Sequence, residues 1–582
     1  MVRKFIAQPA LFVLGLFLCC SFAAAVSKPN LVLITLDSAR ADRMGFLGAK
    51  DGLTPNLDRL AAEGLVFEHA YAQAPGTVTS HATILSGAYP QATGMTEIGG
   101  MLPASLSYLP DLLKAQGYRN AAFVGSIELD PRNGLAQGFD RGFQIYDAGF
   151  RDGSGATGAP PVPAGSKSQR ASRSAAALTQ RPGAQVVTRA LVWLAQNSHG
   201  PFFVWIHISD PRAPNSSYNA AVTAADAAVG KLLAALKQQK LYANTAVLVV
   251  ADHGEALGVH GEDTHGVFLY DETIHVPLLL KLPETQPAKR VAAKVRLVDI
   301  APTLLEIAGV PVPSQMQGQS LLRIAKASGS ADQPVYSRSD LPQRGFGWST
   351  LQSWRAGKYL YIRAPKPELY DLTADPGATH NLAQSSKATL DTMAAQLEAF
   401  DRRISGDAGK QSGAQLSSSE MQKLASLGYV GLQKAAGTAT AVTGTDPKDK
   451  IAVADKTLEA TRAVDQAKPD RALALLAPVT SAEPGLYLAE YTLGTALAQK
   501  GQYAEAAKHL HKAIELQPDA AWAHYQMGTS LSKTGDYKTA VIHLEIAAGR
   551  LPAFAPAHLA LAEAYDHLGR TDDAKRERAK AK

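Results

Sequence analysis

Asp37, Thr77 and the pair Asp252-His253 are the residues of this 582-residue chain whose types and settings could do chemistry together. Asp37 ends the short apolar run Asn30–Leu36, and Asp252 ends a second, Thr245–Ala251. Two carboxylates and an imidazole make a hard-to-borderline site for a divalent cation such as Zn, Mn or Ca. Gly254 follows at once and suits a tight turn beside an ion. Thr77 and Thr79 precede the apolar helical pattern Ala82–Leu85. A hydroxyl there can be an N-cap. The same position suits a nucleophile, because helix-end amides and a metal ion both stabilise an alkoxide and a developing anion.

The elements that must position these residues are legible as well. The two runs above and a third, Phe202–Ile208, which approaches Asp210, are short and nearly continuous in apolar residues. Such runs are expected as strands buried on both faces, as in a parallel sheet. Helical patterns lie between them, at Leu57–Gly64, Leu109–Gly117 and Ala220–Leu236. Strands alternating with helices predict an α/β domain, whose ligands gather at the carboxyl ends of its strands. Asp37 and Asp252-His253 are therefore expected to converge.

Composition bounds the rest. Hydrophobic residues at 46% and charged residues at 19% are globular values, and the length allows two or three domains. A net charge of +6 without a clustered basic stripe gives no case for nucleic acid. Arg3 and Lys4, the apolar run Ala10–Leu18 and the small residues Ala23, Ala24 and Ala25 form a secretory signal pattern. Cleavage is expected after Ala25, giving a periplasmic or secreted protein with no transmembrane segment. Both cysteines, Cys19 and Cys20, lie inside that signal. A lipoprotein anchored through one of them is the competing expectation, and Phe17 and Leu18 are poor small-residue flanks for it. Either way, no thiol remains for a disulfide, a thiolate metal site or a nucleophile.

Residues 151–185, rich in Gly, Ala, Ser and Pro, are expected as a mobile surface insertion, and 404–449 as a linker. Behind the linker, Pro484, Pro518 and Pro552 recur every 34 residues. Gly501, Gly535 and Gly569 keep that period, as do Ala506, Ala540 and Ala574. This spacing resembles tetratricopeptide repeats, an all-α solenoid over 450–582 whose concave surface binds protein partners.

Longer motifs carry a second resemblance. Pro29–Asp37, Thr54–Leu60, the segment 70–90, Asp252-His253-Gly254-Glu255, Val295–Leu304 and Glu368–Leu372 look like sulfatases of the alkaline-phosphatase superfamily. The likeness spans roughly 28–395 and implies an alkaline-phosphatase-like sheet sandwiched by helices over 26–403. It implies that Asp37, Asp252 and His253 are metal ligands, joined by Thr77, which occupies the nucleophile position. Typical sulfatases begin that core motif with a cysteine that is oxidised to formylglycine. Here the run is Thr77-Val78-Thr79-Ser80-His81, with His81 in place of the family arginine. Members with Thr or Ser at the nucleophile are typically phosphoester hydrolases, phosphotransferases or mutases.

The resemblance also places His265 where relatives carry a Lys or His near the leaving group or a second metal, and Arg212, in Asp210-Pro211-Arg212, where relatives carry a histidine. Arg212 and His81 are assigned to the substrate anion, and His260 and His207 mainly to structure. Ser38 replaces a second aspartate of many sulfatases. The expectation is an exported metal-dependent hydrolase of phosphate mono- or diesters that uses Thr77. A sulfuric ester hydrolase with the same pocket and a catalytically degenerate repeat-scaffold interaction protein are the alternatives.

Overall fold

The computed structural model describes residues 28–96, 99–149, 180–212, 217–284, 287–327, 333–405, 418–427 and 442–581. The predicted signal and most of the 151–185 insertion lie outside these residues.

The three apolar runs are strands, buried at every residue: β1 (Asn30–Leu36), β5 (Phe202–Ile208) and β6 (Thr245–Ala251). They are joined by β2 (Leu65–Tyr71), β3 (Arg119–Val124), β4 (Ile145–Asp147), β7 (His275–Lys281) and β8 (Lys289–Arg296). The eight strands form one sheet in the order β4-β3-β5-β1-β6-β7-β2-β8. Strands β4 to β6 of that order run parallel, and β7 is antiparallel to both of its neighbours. β1 lies at the centre, so its side chains are covered on both faces and apolar residues fill it.

The predicted helices form at Pro55–Ala61, Leu109–Ala115 and Tyr218–Gln238. The last is long and apolar enough to cross a membrane, yet half of its most apolar window is buried inside the protein. Its inward face, including Val222, Val229 and Leu232, is part of the core.

A second sheet, antiparallel throughout, comprises β9 (Val335–Ser339), β10 (Leu351–Ala356), β11 (Tyr359–Arg363) and β12 (Glu368–Asp371). It packs Tyr336, Trp354 and Tyr361 against Met393, Leu397 and Phe400 of helix Lys387–Ser405.

The repeats follow the predicted period. Four helix pairs begin at Ile451, Tyr487, Ala521 and Ala555. Gly535 ends one first helix with φ of 87°, a left-handed conformation that costs glycine little. Polar pairs, buried or half-buried, recur with the same spacing inside the array: Glu490 with His509, His524 with His543, and His558 with Glu577. The outer two join a carboxylate to an imidazole. In the middle one, two Nδ1 atoms meet at 2.9 Å.

The stretch expected as a linker is not simply one. Helix Ser418–Ser426 buries Leu424 and pairs Lys423 with Glu545 of the third repeat. Thr445 O accepts from Ser349 N–H, and Asp446 Oδ2 accepts from Lys366 N–H. The end of this stretch is thus hydrogen-bonded to the α/β region.

Candidate active site

Parallel pairing brings the two aspartates together. β1 and β6 run side by side with Leu36 opposite Ala251, so the next residue of each, Asp37 and Asp252, leaves the same edge. The Asp252 amide donates to Leu36 O at 3.2 Å, and the Asp37 amide to Ile208 O at 2.9 Å. Both side chains are fully buried. Asp252 Oδ1 accepts from Ser38 N–H at 3.1 Å and His253 N–H at 2.8 Å. Ser38 adopts a φ of 56°, rare for a residue with a side chain. This bend aims its amide at Asp252, and its hydroxyl donates to Asp37 Oδ1 at 3.0 Å. This serine braces both aspartates.

Three histidines surround the aspartates, and their hydrogen bonds fix which nitrogen carries the proton. His253 Nδ1 lies 2.8 Å from Gly254 O, a group that only accepts, so its proton is there. Nε2 then offers a lone pair, 3.2 Å from Thr77 Oγ1, 3.7 Å from Asp37 Oδ1 and 3.6 Å from Asp252 Oδ2. That is the arrangement of a metal-ligating imidazole, whose other nitrogen donates to a carbonyl. His207 is the reverse. Its Nδ1 accepts from Gly125 N–H at 3.3 Å, which leaves the proton on Nε2, 3.7 Å from Asp37 Oδ2. His207 therefore turns its Nε2 towards the aspartate, at a separation longer than a hydrogen bond.

His81 corrects an expectation. Its Nδ1–H donates to Thr77 O at 2.7 Å, and its Nε2 accepts from Thr35 Oγ1 at 2.9 Å. Thr35 Oγ1 in turn accepts from Trp205 Nε1–H at 3.0 Å. Burial, with His207 beside it, holds the His81 pKa well below the usual imidazole range. His81 is thus neutral, enclosed and engaged at both nitrogens, so it cannot grip a substrate anion. It braces the first turn of the helix that bears Thr77. His81, His207 and Asp252 lie within metal-ligating distance of one another, but both imidazoles turn N–H groups inward.

The remaining set fits a cation. Asp37, Asp252 and His253 each place a ligand atom within 4.8 Å of the others. Asp37 Oδ2 is buried without a hydrogen-bond partner, a costly state for a carboxylate that a divalent ion would relieve. Thr77 is the first residue of the buried helix Thr77–Ser86. The N-cap is Gly76, so the hydroxyl of Thr77 does not cap the helix; it points to His253. Partial positive charge from the helix end falls on the same spot.

His265 lies on the loop after Gly261, its ring 4.3 Å from that of His253. Its Nδ1 is 3.0 Å from Glu255 Oε2. Glu255 orients this imidazole and was not singled out from the sequence, although it stands in the Asp252-His253-Gly254-Glu255 motif. His260 stacks on Tyr270 at 3.7 Å, a structural role as expected. Asp210 turns away, and its carboxylate accepts from Gly183 N–H at the start of helix Gly183–Asn197. Arg212 ends the turn Asp210–Arg212, and its side chain lies outside the described residues. A shallow cleft lined by Pro75, Thr79, Gly266 and Arg338 runs beside the Thr77 helix. A larger cavity, about 180 Å³, lies between Arg40, Asp42, Glu272 and His275, and none of the site residues line it.

Known proteins share this architecture. The sulfatase family model matches residues 29–310, and the model for the C-terminal region of N-sulphoglucosamine sulphohydrolase matches 264–403. Tetratricopeptide-repeat models match 494–535 and 525–575. An ulvan-active sulfatase of Formosa agariphila is 27% identical over 64% of this chain and 80% of its own length. The steryl-sulfatase of Mus musculus is 25% identical over 65% of this chain and 83% of its own. Among solved structures, a 2-O GAG sulfatase superposes with a TM-score of 0.53 at 20% identity, covering 67% of this chain and 95% of that one. A phosphonate monoester hydrolase of Agrobacterium radiobacter gives 0.53 at 20% identity, covering 65% and 96%.

Proposed function

Because the sulfatase family model matches residues 29–310, a sulphohydrolase C-terminal model matches 264–403 and tetratricopeptide repeats follow, we propose that the chain is an exported, metal-dependent hydrolase of phosphate mono- or diesters with Thr77 as nucleophile. The observation that carries this reading is the placement of Thr77 Oγ1 at 3.2 Å from His253 Nε2, beside the buried pair Asp37 and Asp252.

A divalent cation held by Asp37, Asp252 and His253 would supply the charge that favours a Thr77 alkoxide and offsets the charge of the phosphoryl oxygens. The Thr77 hydroxyl gives its proton to solvent, Oγ1 attacks phosphorus, and the bond from phosphorus to the leaving oxygen breaks. His265, oriented by Glu255, gives that oxygen its proton. Thr77 carries a single hydroxyl, so the phospho-threonine is released only by a second displacement at phosphorus. Water makes that attack, His265, now neutral, takes its proton, the bond from phosphorus to Thr77 Oγ1 breaks, and Oγ1 regains its proton from solvent. Arg212 is assigned to the non-bridging oxygens on sequence grounds.

A second reading, a sulfuric ester hydrolase using the same residues, is favoured by the names of the relatives that cover nearly two-thirds of the chain. The signal pattern before Val26 supports export, and the repeats support a protein partner. The test is turnover of aryl phosphate monoester, diester, phosphonate and sulfate substrates by the full-length mature protein, with bound metal measured, beside Thr77→Ala. Phosphoester turnover lost in the variant supports the proposal. Turnover of sulfate alone selects the second reading, and turnover unaffected by Thr77→Ala rejects Thr77 as nucleophile.

A further inference from the structure

The first repeat helix, Ile451–Asp465, is fastened to the loop that carries His265. Asp455, nearly buried on that helix, accepts a hydrogen bond from Asp263 N–H at 3.1 Å, two residues from His265. Ile451, one turn earlier on the same helix, closes against Gly261, where a Cβ would meet its methyl at 3.6 Å. The α/β region holds the loop as well, through Ser339 Oγ–H donating to Gly266 O at 2.6 Å and Arg40 Nη1–H to Ala256 O at 3.2 Å, and further bonds lie within the loop. Ala256 N–H donates to Thr264 O at 2.6 Å, and Gly258 N–H to Glu262 O at 2.8 Å. Glu262 accepts from Val267 N–H and Phe268 N–H.

A second tether reaches the same loop from the residues that lead into the helix. Lys448 Nζ pairs with Glu368 Oε1 at 2.6 Å, and Glu368 Oε2 accepts from Tyr270 Oη at 2.6 Å. Tyr270 in turn stacks on His260. The segment 448–455 thus holds both shoulders of the loop whose tip presents His265 to His253.

We infer that Asp455 is a positioning residue for the reaction, acting through the Asp263 amide to fix the loop that aims His265. This rests on the proposed role of His265 in proton transfer. The repeat array then contributes to the catalytic geometry itself, in addition to any partner it binds. The Asp263 amide is only part-buried and would turn to water on losing Asp455, freeing the loop to move, and a shift of about 1 Å can cost up to about a hundredfold in rate.

The experiment uses the metal-loaded full-length chain with the aryl ester that the wild type turns over. Asp455→Ala is expected to lower kcat about tenfold with KM within about twofold. Asp455→Asn keeps an acceptor oxygen and is expected to restore most of the rate. In a His265→Ala background, Asp455→Ala should cost nothing further, because its effect passes through His265. An equal loss in both backgrounds, or no rescue by Asp455→Asn, overturns the inference. Amide hydrogen exchange over 256–268 supplies an arm that needs no activity. Faster exchange in Asp455→Ala but not in Asp455→Asn supports the tether, and unchanged exchange in both refutes it. An inactive wild type with a loosened loop in Asp455→Ala would count against the proposed hydrolase while leaving the tether intact.

Discussion

Thr77 Oγ1 and His253 Nε2 face each other at 3.2 Å, across 176 residues of sequence. The contact is directional. His253 Nδ1 lies 2.8 Å from Gly254 O, so in the neutral tautomer with its proton there the threonine hydroxyl donates and Nε2 accepts. A threonine oxygen is thereby held beside three side chains that could hold a cation.

Replacement of that oxygen gives the first prediction. Thr77→Ala is expected to lower kcat by about 10⁴-fold or more while bound metal, measured by elemental analysis, falls by less than half. Thr77→Ser keeps the hydroxyl and should retain measurable turnover. A variant without the hydroxyl that works at the wild-type rate would remove Thr77 from the mechanism.

His207 gives the second. Its Nε2 packs 3.7 Å from Asp37 Oδ2, so His207→Ala opens space beside that candidate ligand. Metal affinity is expected to weaken about 10–100-fold, as for other groups that orient a ligand from behind. A metal titration monitored by activity checks this, and most of the rate should return at saturating metal. Loss that no metal concentration restores would assign His207 a direct role in the reaction.

The third concerns His81, which joins the Thr77 helix to β1 and β5 through Thr35 and Trp205. His81→Ala leaves Thr77 O and Thr35 Oγ1 short of a partner and opens a cavity, at a cost of about 3 kcal/mol. Denaturant unfolding should show this as a lower midpoint. An unchanged midpoint would mean that the buried network contributes nothing to stability.

The fourth is a pH dependence in the repeats. Burial pushes the His524 pKa down to about 4, and burial with His524 beside it holds the His543 pKa well below the usual range. Pro518 O accepts from His524, and Arg550, Glu420 and His511 are the other charged or titratable groups acting on the pair. A depressed folded-state pKa contributes stability that is complete above about pH 6.5 and lost as pH falls through about 4. Thermal unfolding should therefore show the third repeat weakening across that window. His543→Glu recreates the pairing of His558 with Glu577 one repeat later, and should flatten the loss. An equal acid loss in that variant would place its origin elsewhere.

Much of this was legible in the sequence for identifiable reasons. β1, β5 and β6 are covered on both faces, which leaves unbroken apolar runs, and a parallel sheet puts the residue after each run at one edge. Asp37 and Asp252 follow from that alone. The repeats declare themselves because every unit solves the same packing problem every 34 residues. His81 was misread because its role depends on which nitrogen is protonated, and that is set by Thr77 O and Thr35 Oγ1 in the folded chain. Glu255 was overlooked beside better-known neighbours. Asp455 left no local signal, since the amide that it holds is 192 residues away. For the same reason, the boundary near 449 divides a hydrogen-bonded unit.

The bond between Lys448 and Glu368 bears on how such a protein could be rebuilt. Glu368 also receives two tyrosine hydroxyls, so a chain ended before Lys448 would keep a buried carboxylate whose counter-ion had been cut away. Exchanging the repeats for those of another protein would pose the same difficulty unless the junction travelled with them. Recombination between relatives is therefore expected to succeed at the far end of the array and to fail at its root.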